Sequence, residues 1–216
     1  MTQDTAIVDL SFPLRGATIP ADHGYVLYGA LSRRFPSLHG DKSVGIHPIR
    51  GRLVGNRRLQ LNKSSRLELR LATERIGQLI PLVGQELDLD GCVCQVGIPS
   101  VKPLQAKASL SSRLVTIRGF TEPESFFEAM LRQLELIGIG GTARLLPQVT
   151  HRSFEGLSEG HSLGWTRRTL RIRDKEILGF AVSVLHLTPE ESLLLQKCGL
   201  GGRRRFGCGL FVPTGG

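Results

Sequence analysis

Six histidines are the side chains of this sequence that titrate near neutrality: His23, His39, His47, His151, His161 and His186. An imidazole can take a proton from a nucleophile or give one to a leaving group at physiological pH. The second chemically loaded feature is the run "GLGGRRRFGCGLFVP", Gly199 to Pro213, whose first eleven positions hold five glycines and three consecutive arginines. Glycines permit positive φ and close approach of a ligand, and successive exposed N–H groups beside arginines form an anion site. The planar guanidinium fork suits phosphate oxygens. Proton transfer beside a bound phosphate is the chemistry these residues could do together.

Other phosphate and metal motifs fit less well. A Walker loop needs a lysine after its glycines, between a strand and a helix, and the C-terminal run has neither that lysine nor that context. "GIGGTA" (Gly138 to Ala143) has dinucleotide-like spacing but follows a helix pattern, so it reads as a helix stop and turn. Aromatic residues make up 6% of the chain, and no string of the stacking type used by RRM sheets occurs. The four cysteines, Cys92, Cys94, Cys198 and Cys208, have neither disulfide-scaffold nor zinc-finger spacing. Reduced thiols and no metal are expected.

The charge balance narrows the partner. Lys and Arg total 28 against 19 Asp and Glu, a net charge of +9 with a pI near 10.0. Such a field favours a polyanion. The arginines cluster as Arg33–Arg34, Arg57–Arg58, Arg167–Arg168, Arg171 with Arg173, and Arg203–Arg205. Any one pair reads as a solvated basic surface. Five groups with a glycine loop point to nucleic acid. The apolar runs fall short of the roughly 20 residues that span a bilayer, and "MTQDTAIVDLSF" lacks the features of a signal peptide. A cytoplasmic protein with no membrane partner is expected.

The elements that must position these groups follow from periodicity. "TAIVDLSFPLRG" reads as a strand, and "ADHGYVLYGALSRRF" as a helix with Leu27, Ala30, Leu31 and Arg34 at helical spacing, ending at Pro36. "SVGIHPIRG" is extended, and "SRLELRLA" alternates as a half-buried strand with a charged outer face. "TERIGQLIPLVG" is a short helix, and "ELDLDGCVCQVGI" a strand pair turning at Asp90 and Gly91. The order then returns. "SRLVTIRG" is a strand, and "TEPESFFEAMLRQLELIG" a helix with a Thr121–Glu124 capping box, Phe127, Met130, Leu131 and Leu134 on one face, and Gly138 as its stop. "TARLLPQVTH" and "TRRTLRIRDKEILGFAVSVLHL" supply strands, the latter turning near Asp174 and Lys175. "TPEESLLLQKCG" is a helix capped by Thr188 and Glu191, and "RFGCGLFVP" a closing strand. Two βαββαβ units make an α+β chain of two tandem ferredoxin-like (RRM-like) domains, 1–100 and 110–216, joined by "PSVKPLQAKASLSS".

The spacing of the C-terminal run, Gly-apolar-Gly, five residues, Gly-apolar-Gly, resembles the glycine-rich loop of the repeat-processing endoribonucleases of CRISPR systems. "IPADHGYVLYGALSRRFPSLHGD" is similar to that family's first helix and the histidine-bearing segment after it. The C-terminal run resembles most the form in type I systems of the myxobacterial kind, including ones associated with transposons. The resemblance implies binding of a CRISPR repeat RNA hairpin and metal-independent cleavage at its 3′ base by the adjacent 2′-hydroxyl, leaving a 2′,3′-cyclic phosphate. It also implies no cofactor, and retention on the product as a subunit of the CRISPR effector complex (Cascade).

The resemblance also assigns residues. His39, in "FPSLHG", lies where the family's catalytic histidine resides, and His23 is the rival, on the helix's apolar face where a buried structural histidine is the commoner finding. The family's assisting tyrosine corresponds to Ser32 here, with Tyr28 one turn earlier, and Lys42 can steady phosphate charge. For RNA binding, Gly199, Gly201, Gly202 and Gly207 permit approach of Arg203, Arg204 and Arg205. Arg167, Arg168, Arg171 and Arg173 form a second row, with Arg171 and Arg173 on one strand face. His47 precedes Pro48 in an extended segment, and His151, His161 and His186 have no supporting neighbours. A non-catalytic subunit that clamps an RNA hairpin is the alternative, and a structured-RNA protein of similar fold a third reading.

Overall fold

The computed structural model describes residues 5–148 and 164–214. The chain divides into two compact units. One consists of the chain up to Gln105 together with Leu170–Glu176 and Arg203–Cys208, and the other of the remaining residues.

The first unit runs β1 (Ile7–Arg15), β2 (Thr18–Pro20), α1 (Gly24–Arg34), β3 (Gly45–Ile46), β4 (Arg52–Val54), β5 (Arg58–Gln60), β6 (Arg66–Ala72), α2 (Ile76–Leu79), β7 (Glu86–Asp88), β8 (Val93–Val96) and β9 (Ser100–Pro103). Its sheet has the order β3-β6-β1-β8-β7, with β9 also on β1. That places the third strand of the βαββαβ pattern beside the first, the ferredoxin-like arrangement. Alternation on β1 sends Leu10, Phe12 and Leu14 inward, against Leu67, Leu69 and Leu71 of β6 and Leu27 and Leu31 of α1. Asp90 and Gly91 both take positive φ and turn β7 into β8 as expected.

The second unit contains β10 (Leu110–Val115), α3 (Pro123–Leu136), β11 (Thr142–Leu145), most of the β12 (Arg167–Ile172) and β13 (Lys175–Leu185) hairpin, α4 (Pro189–Cys198) and β14 (Val212–Pro213). The sheet order β11-β13-β10-β14 repeats the first unit's topology. Phe126, Met130, Phe180, Leu195 and Phe211 fill its core. The capping box of α4 is formed, with the Glu191 N–H donating to Thr188 Oγ1 at 3.2 Å and the Thr188 N–H to Glu191 Oε2 at 2.8 Å.

Several local expectations are corrected. The segment 73–84 is not one helix but a 3₁₀ turn, the four residues of α2 and a second 3₁₀ turn. Gly77 weakens the helix and Pro81 cannot donate within it. Helix α3 starts at Pro123 with Glu122 as its N-cap and no side-chain cap bond, so Thr121 is not the cap. Phe126, Ala129, Met130 and Leu134, at i, i+3, i+4 and i+8, face inward, while Leu131, one residue round the helix from Met130, is 42% exposed. Of 43–51 only Gly45–Ile46 is strand, with the His47 N–H still bonding the Glu68 carbonyl at 2.9 Å, and Pro48 then offers no ladder donor. The terminal strand is reduced to Val212–Pro213. A small sheet, β2-β5-β4, was not foreseen.

The charged outer face of β6 is also corrected. Arg70 is fully buried and grips Asp9 of β1, Nε on Oδ1 and Nη2 on Oδ2, both at 2.8 Å. His47 Nε2 lies 3.2 Å from the same Oδ1. On the next pair along the strands, Glu68 accepts from Ser11 Oγ at 3.0 Å and from Lys102 Nζ at 2.6 Å.

All four cysteines are free, three of them buried. Among the described residues, no helix is long and apolar enough to cross a membrane. His151 and His161 lie outside the described residues, as does the end of the strand expected at 142–151.

Candidate functional site

The first-unit helix α1 starts at Gly24 with His23 as its N-cap, rather than within its first turn. His23 is 3% exposed. Its Nδ1–H donates to the Pro20 carbonyl at 3.0 Å, and Nε2 accepts the Ile49 N–H at 2.8 Å. Those two bonds require the neutral Nδ1–H tautomer. The imidazole thereby satisfies two backbone groups beside the start of α1, and both nitrogens are engaged inside the protein.

His39 is differently situated. It follows the 3₁₀ turn Pro36–Leu38 that succeeds α1, its N–H bonds the Pro36 carbonyl at 2.9 Å, and its side chain is exposed. Gly40, the next residue, donates its N–H to the Tyr28 hydroxyl at 3.1 Å. Tyr28 therefore anchors the His39–Gly40 step to α1, and its O–H proton stays available for donation. Ser32 lies one turn on, its Oγ donating to the Tyr28 carbonyl at 2.8 Å, an i−4 bond within the helix. Lys42 is exposed on the following bend. That bend is braced by Asp41, which accepts from the Ser43 N–H at 2.7 Å and pairs with Arg75.

The C-terminal run contributes a turn to this same unit. Arg203 and Gly207 are both left-handed, at φ of 66° and 87°, and bracket the 3₁₀ turn Arg204–Phe206. Phe206 sets its ring edge-on against Tyr28 with centroids 5.0 Å apart, and lies 6.1 Å from Tyr25. The Arg205 guanidinium stands 5.1 Å from the centroids of both the Tyr28 and Phe206 rings, a cation–π arrangement. One tyrosine thus carries the His39–Gly40 turn on its hydroxyl and an arginine on its ring.

Two glycines make the contact possible. A Cβ on Gly207 would lie 2.8 Å from Pro48 Cγ, on a backbone already at positive φ. A Cβ on Gly24 would lie 2.7 Å from the Phe206 carbonyl oxygen. Gly24→Ala is therefore expected to push the arginine turn off α1 at a cost of about 1–3 kcal/mol. Thermal unfolding measures that cost, and an unchanged midpoint would show that the turn does not rest there.

The remaining candidates divide between the units. In the first, the Arg171 N–H donates to Asp22 Oδ2 at 2.9 Å and Arg173 Nε to the Tyr25 hydroxyl at 3.1 Å. Arg173 does not share a strand face with Arg171, because β12 ends at Ile172 and Arg173 takes a left-handed turn conformation at φ 55°. In the second unit, Arg167 lies 3.5 Å from Glu122 and 5.9 Å from the Phe180 ring centroid, and Arg168 is exposed. Gly199 caps α4, Gly201 N–H bonds Gln133 Oε1 at 2.8 Å, and Gly202 N–H the Thr116 carbonyl at 2.9 Å. Phe206 was not singled out from sequence, although a lone aromatic among glycines and arginines is the signal of an anchored loop. Among the described residues no three His, Cys, Asp or Glu side chains cluster as metal ligands would.

The Cas6 Crispr family model matches residues 8–216. The chain is 37% identical over 210 residues to the CRISPR-associated endonuclease Cas6 of Myxococcus xanthus (strain DK1622), covering 96% of this chain and 82% of that protein. Among solved structures it is similar to a CRISPR associated protein Cas6, with a TM-score of 0.66 at 12% identity over 97% of this chain and all of that one. It is also similar to an RAMP protein binding different RNA substrates, with a TM-score of 0.60 at 14% identity over 95% and 98% of the two chains.

Proposed function

The chain belongs to the Cas6 family of CRISPR proteins, and from that premise we propose that it is an endoribonuclease that processes CRISPR RNA, cutting at the 3′ base of the repeat hairpin without a metal ion. The 2′-hydroxyl beside the scissile phosphate attacks phosphorus, the P–O5′ bond breaks, and the products are a 2′,3′-cyclic phosphate and a 5′-hydroxyl. His39 takes the 2′ proton or gives one to the departing 5′-oxygen. Lys42 and Arg205 offset the charge that builds on the phosphorane. Tyr28 is a positioning residue through its bond to Gly40. Arg203 and Arg204, with Arg171 and Arg173 of the same unit, hold the hairpin, and the product stays bound as part of a larger effector assembly.

What supports this reading is the double use of Tyr28, which ties an exposed histidine turn and a cationic turn to one helix. His23 is the weaker choice, because its nitrogens already serve Pro20 and Ile49. The test is incubation of the purified chain with its own repeat RNA in EDTA. Cleavage to fragments ending in cyclic phosphate and 5′-hydroxyl is expected. Tight, salt-sensitive binding with the RNA left intact would select the non-catalytic hairpin-binding subunit instead.

A further inference from the structure

The outer face of the first unit's sheet carries a row of charges that changes character along its length. On β1, Asp9, Ser11, Pro13 and Arg15 alternate with the core residues Leu10, Phe12 and Leu14. Opposite them on β6, Arg70 pairs with Asp9, Glu68 with Ser11 and Arg66 with Pro13. Toward Asp9 the charges are matched, Asp9 by Arg70 and Glu68 by Lys102. Toward Arg15 the carboxylates run out. Arg15 and Arg66, with Lys63 from the loop before β6, line a cleft of about 500 Å³ whose wall includes Pro13, Leu61 and Asn62 and no acidic residue.

This end of the sheet is built, not frayed. Arg66 Nη1 donates to the carbonyls of Lys63 and Ser65 at 2.7 and 2.9 Å. Asn62 Oδ1 accepts from the Ser64 N–H at 2.8 Å, and Ser65 Oγ accepts the Asn62 N–H at 3.0 Å and donates to the Arg50 carbonyl at 2.7 Å. Among the described residues, none of the three cations forms an ion pair with a carboxylate. Like charges held around one concavity repel one another, and an anion entering it relieves that repulsion. The cleft wall offers no aromatic ring for a base to stack on, and the Asn62 carboxamide oxygen is already committed to Ser64. The groups that Arg15, Lys63 and Arg66 present there suit the phosphates of a ligand. A duplex is too broad and stiff to bring consecutive phosphates into such a cleft, whereas a single strand can follow it.

We propose that this cleft is a second RNA-binding site, taking the phosphodiester backbone of the single-stranded part of the repeat outside the hairpin. The inference rests on the reading of the chain as a repeat-RNA-binding protein and adds a contact that shares no residue with the Tyr28–His39 edge. Because the recognition is through phosphate, it is indifferent to the flank's sequence.

The experiment compares wild type with the Arg15→Ala/Lys63→Ala double variant, leaving Arg66 in place because it holds the loop. Each binds two probes over a salt series, the bare hairpin and the hairpin with its single-stranded flank, after thermal unfolding has shown matching midpoints. The double variant should lose about tenfold in affinity for the flanked probe, and its log–log salt slope should fall by about 1.4, the value for two phosphate contacts to a single strand. Binding to the bare hairpin should be unchanged, and a scrambled flank should behave as the native one. Equal losses on both probes, or no loss on either, would overturn the site while wild-type binding keeps the parent reading intact. Wild type that binds neither probe would overturn both, and a flank effect confined to the native sequence would overturn the phosphate-only recognition.

Discussion

His39→Ala should slow single-turnover cleavage of the repeat RNA by about 10²–10⁴-fold, the range that a positioned general acid or base supplies, with RNA affinity retained. The separation is expected because the His39 side chain is exposed and the turn that carries it is held by backbone groups: its own N–H on Pro36, and the Gly40 N–H on Tyr28. Removing the imidazole leaves those bonds in place. His23→Ala is the informative contrast. It strips partners from the Pro20 carbonyl and the Ile49 N–H, and leaving buried groups unsatisfied costs about 1–3 kcal/mol each. Its signature is a lowered unfolding midpoint, with activity falling in proportion to folded protein. Should His39→Ala cleave at the wild-type rate, the proton transfer must be assigned to another group. Tyr28→Phe is intermediate in kind: the ring still packs on Phe206, but Gly40 loses its acceptor, so the cleavage rate drops while the arginine turn stays seated.

The βαββαβ order of both units was legible because it is written in short-range patterns: the period-2 leucines of β6, the cap signals of α4, the Asp90–Gly91 turn. The two stretches that resemble the family were legible for the same reason, as strings. What the pattern could not carry was the meeting of residues far apart in the chain. Nothing near Phe206 in sequence announces that it will lie on Tyr28, and nothing near Tyr28 announces that its hydroxyl will hold Gly40 while Arg205 covers its ring. The burial of Arg70 was hidden in the same way. The alternation of β6 gives the side on which the residue stands, but whether that side meets water depends on Asp9 and His47 arriving from other strands and loops. His23 was identified by type and place, and only its two partners show why it is there.

Arg70→Ala should cost about 3–5 kcal/mol, the penalty for breaking a buried ion pair by removing one member. Arg70 is among the largest fully buried side chains, and it meets Asp9 through two bonds at 2.8 Å in the strand pair that centres the first unit's sheet. The variant leaves the Asp9 carboxylate largely out of water, with the His47 imidazole 3.2 Å from it. Burial pushes the Asp9 carboxyl up, but hydrogen bonds from His47 and Arg70, with their charges, outweigh it and hold the group well below the usual carboxylate range. A carboxyl depressed in the folded state contributes stability that is fully present above its unfolded value of about 4 and is lost as pH falls toward the folded value. Urea unfolding of wild type and variant at neutral pH and near pH 3 should therefore give a gap that narrows on acidification. Asp9→Leu combined with Arg70→Met should recover part of the loss, since an apolar pair of similar volume avoids the uncompensated charge. A gap below about 1 kcal/mol at neutral pH, the range of an exposed pair, or one that does not change with pH, would mean that this pair does not hold the sheet.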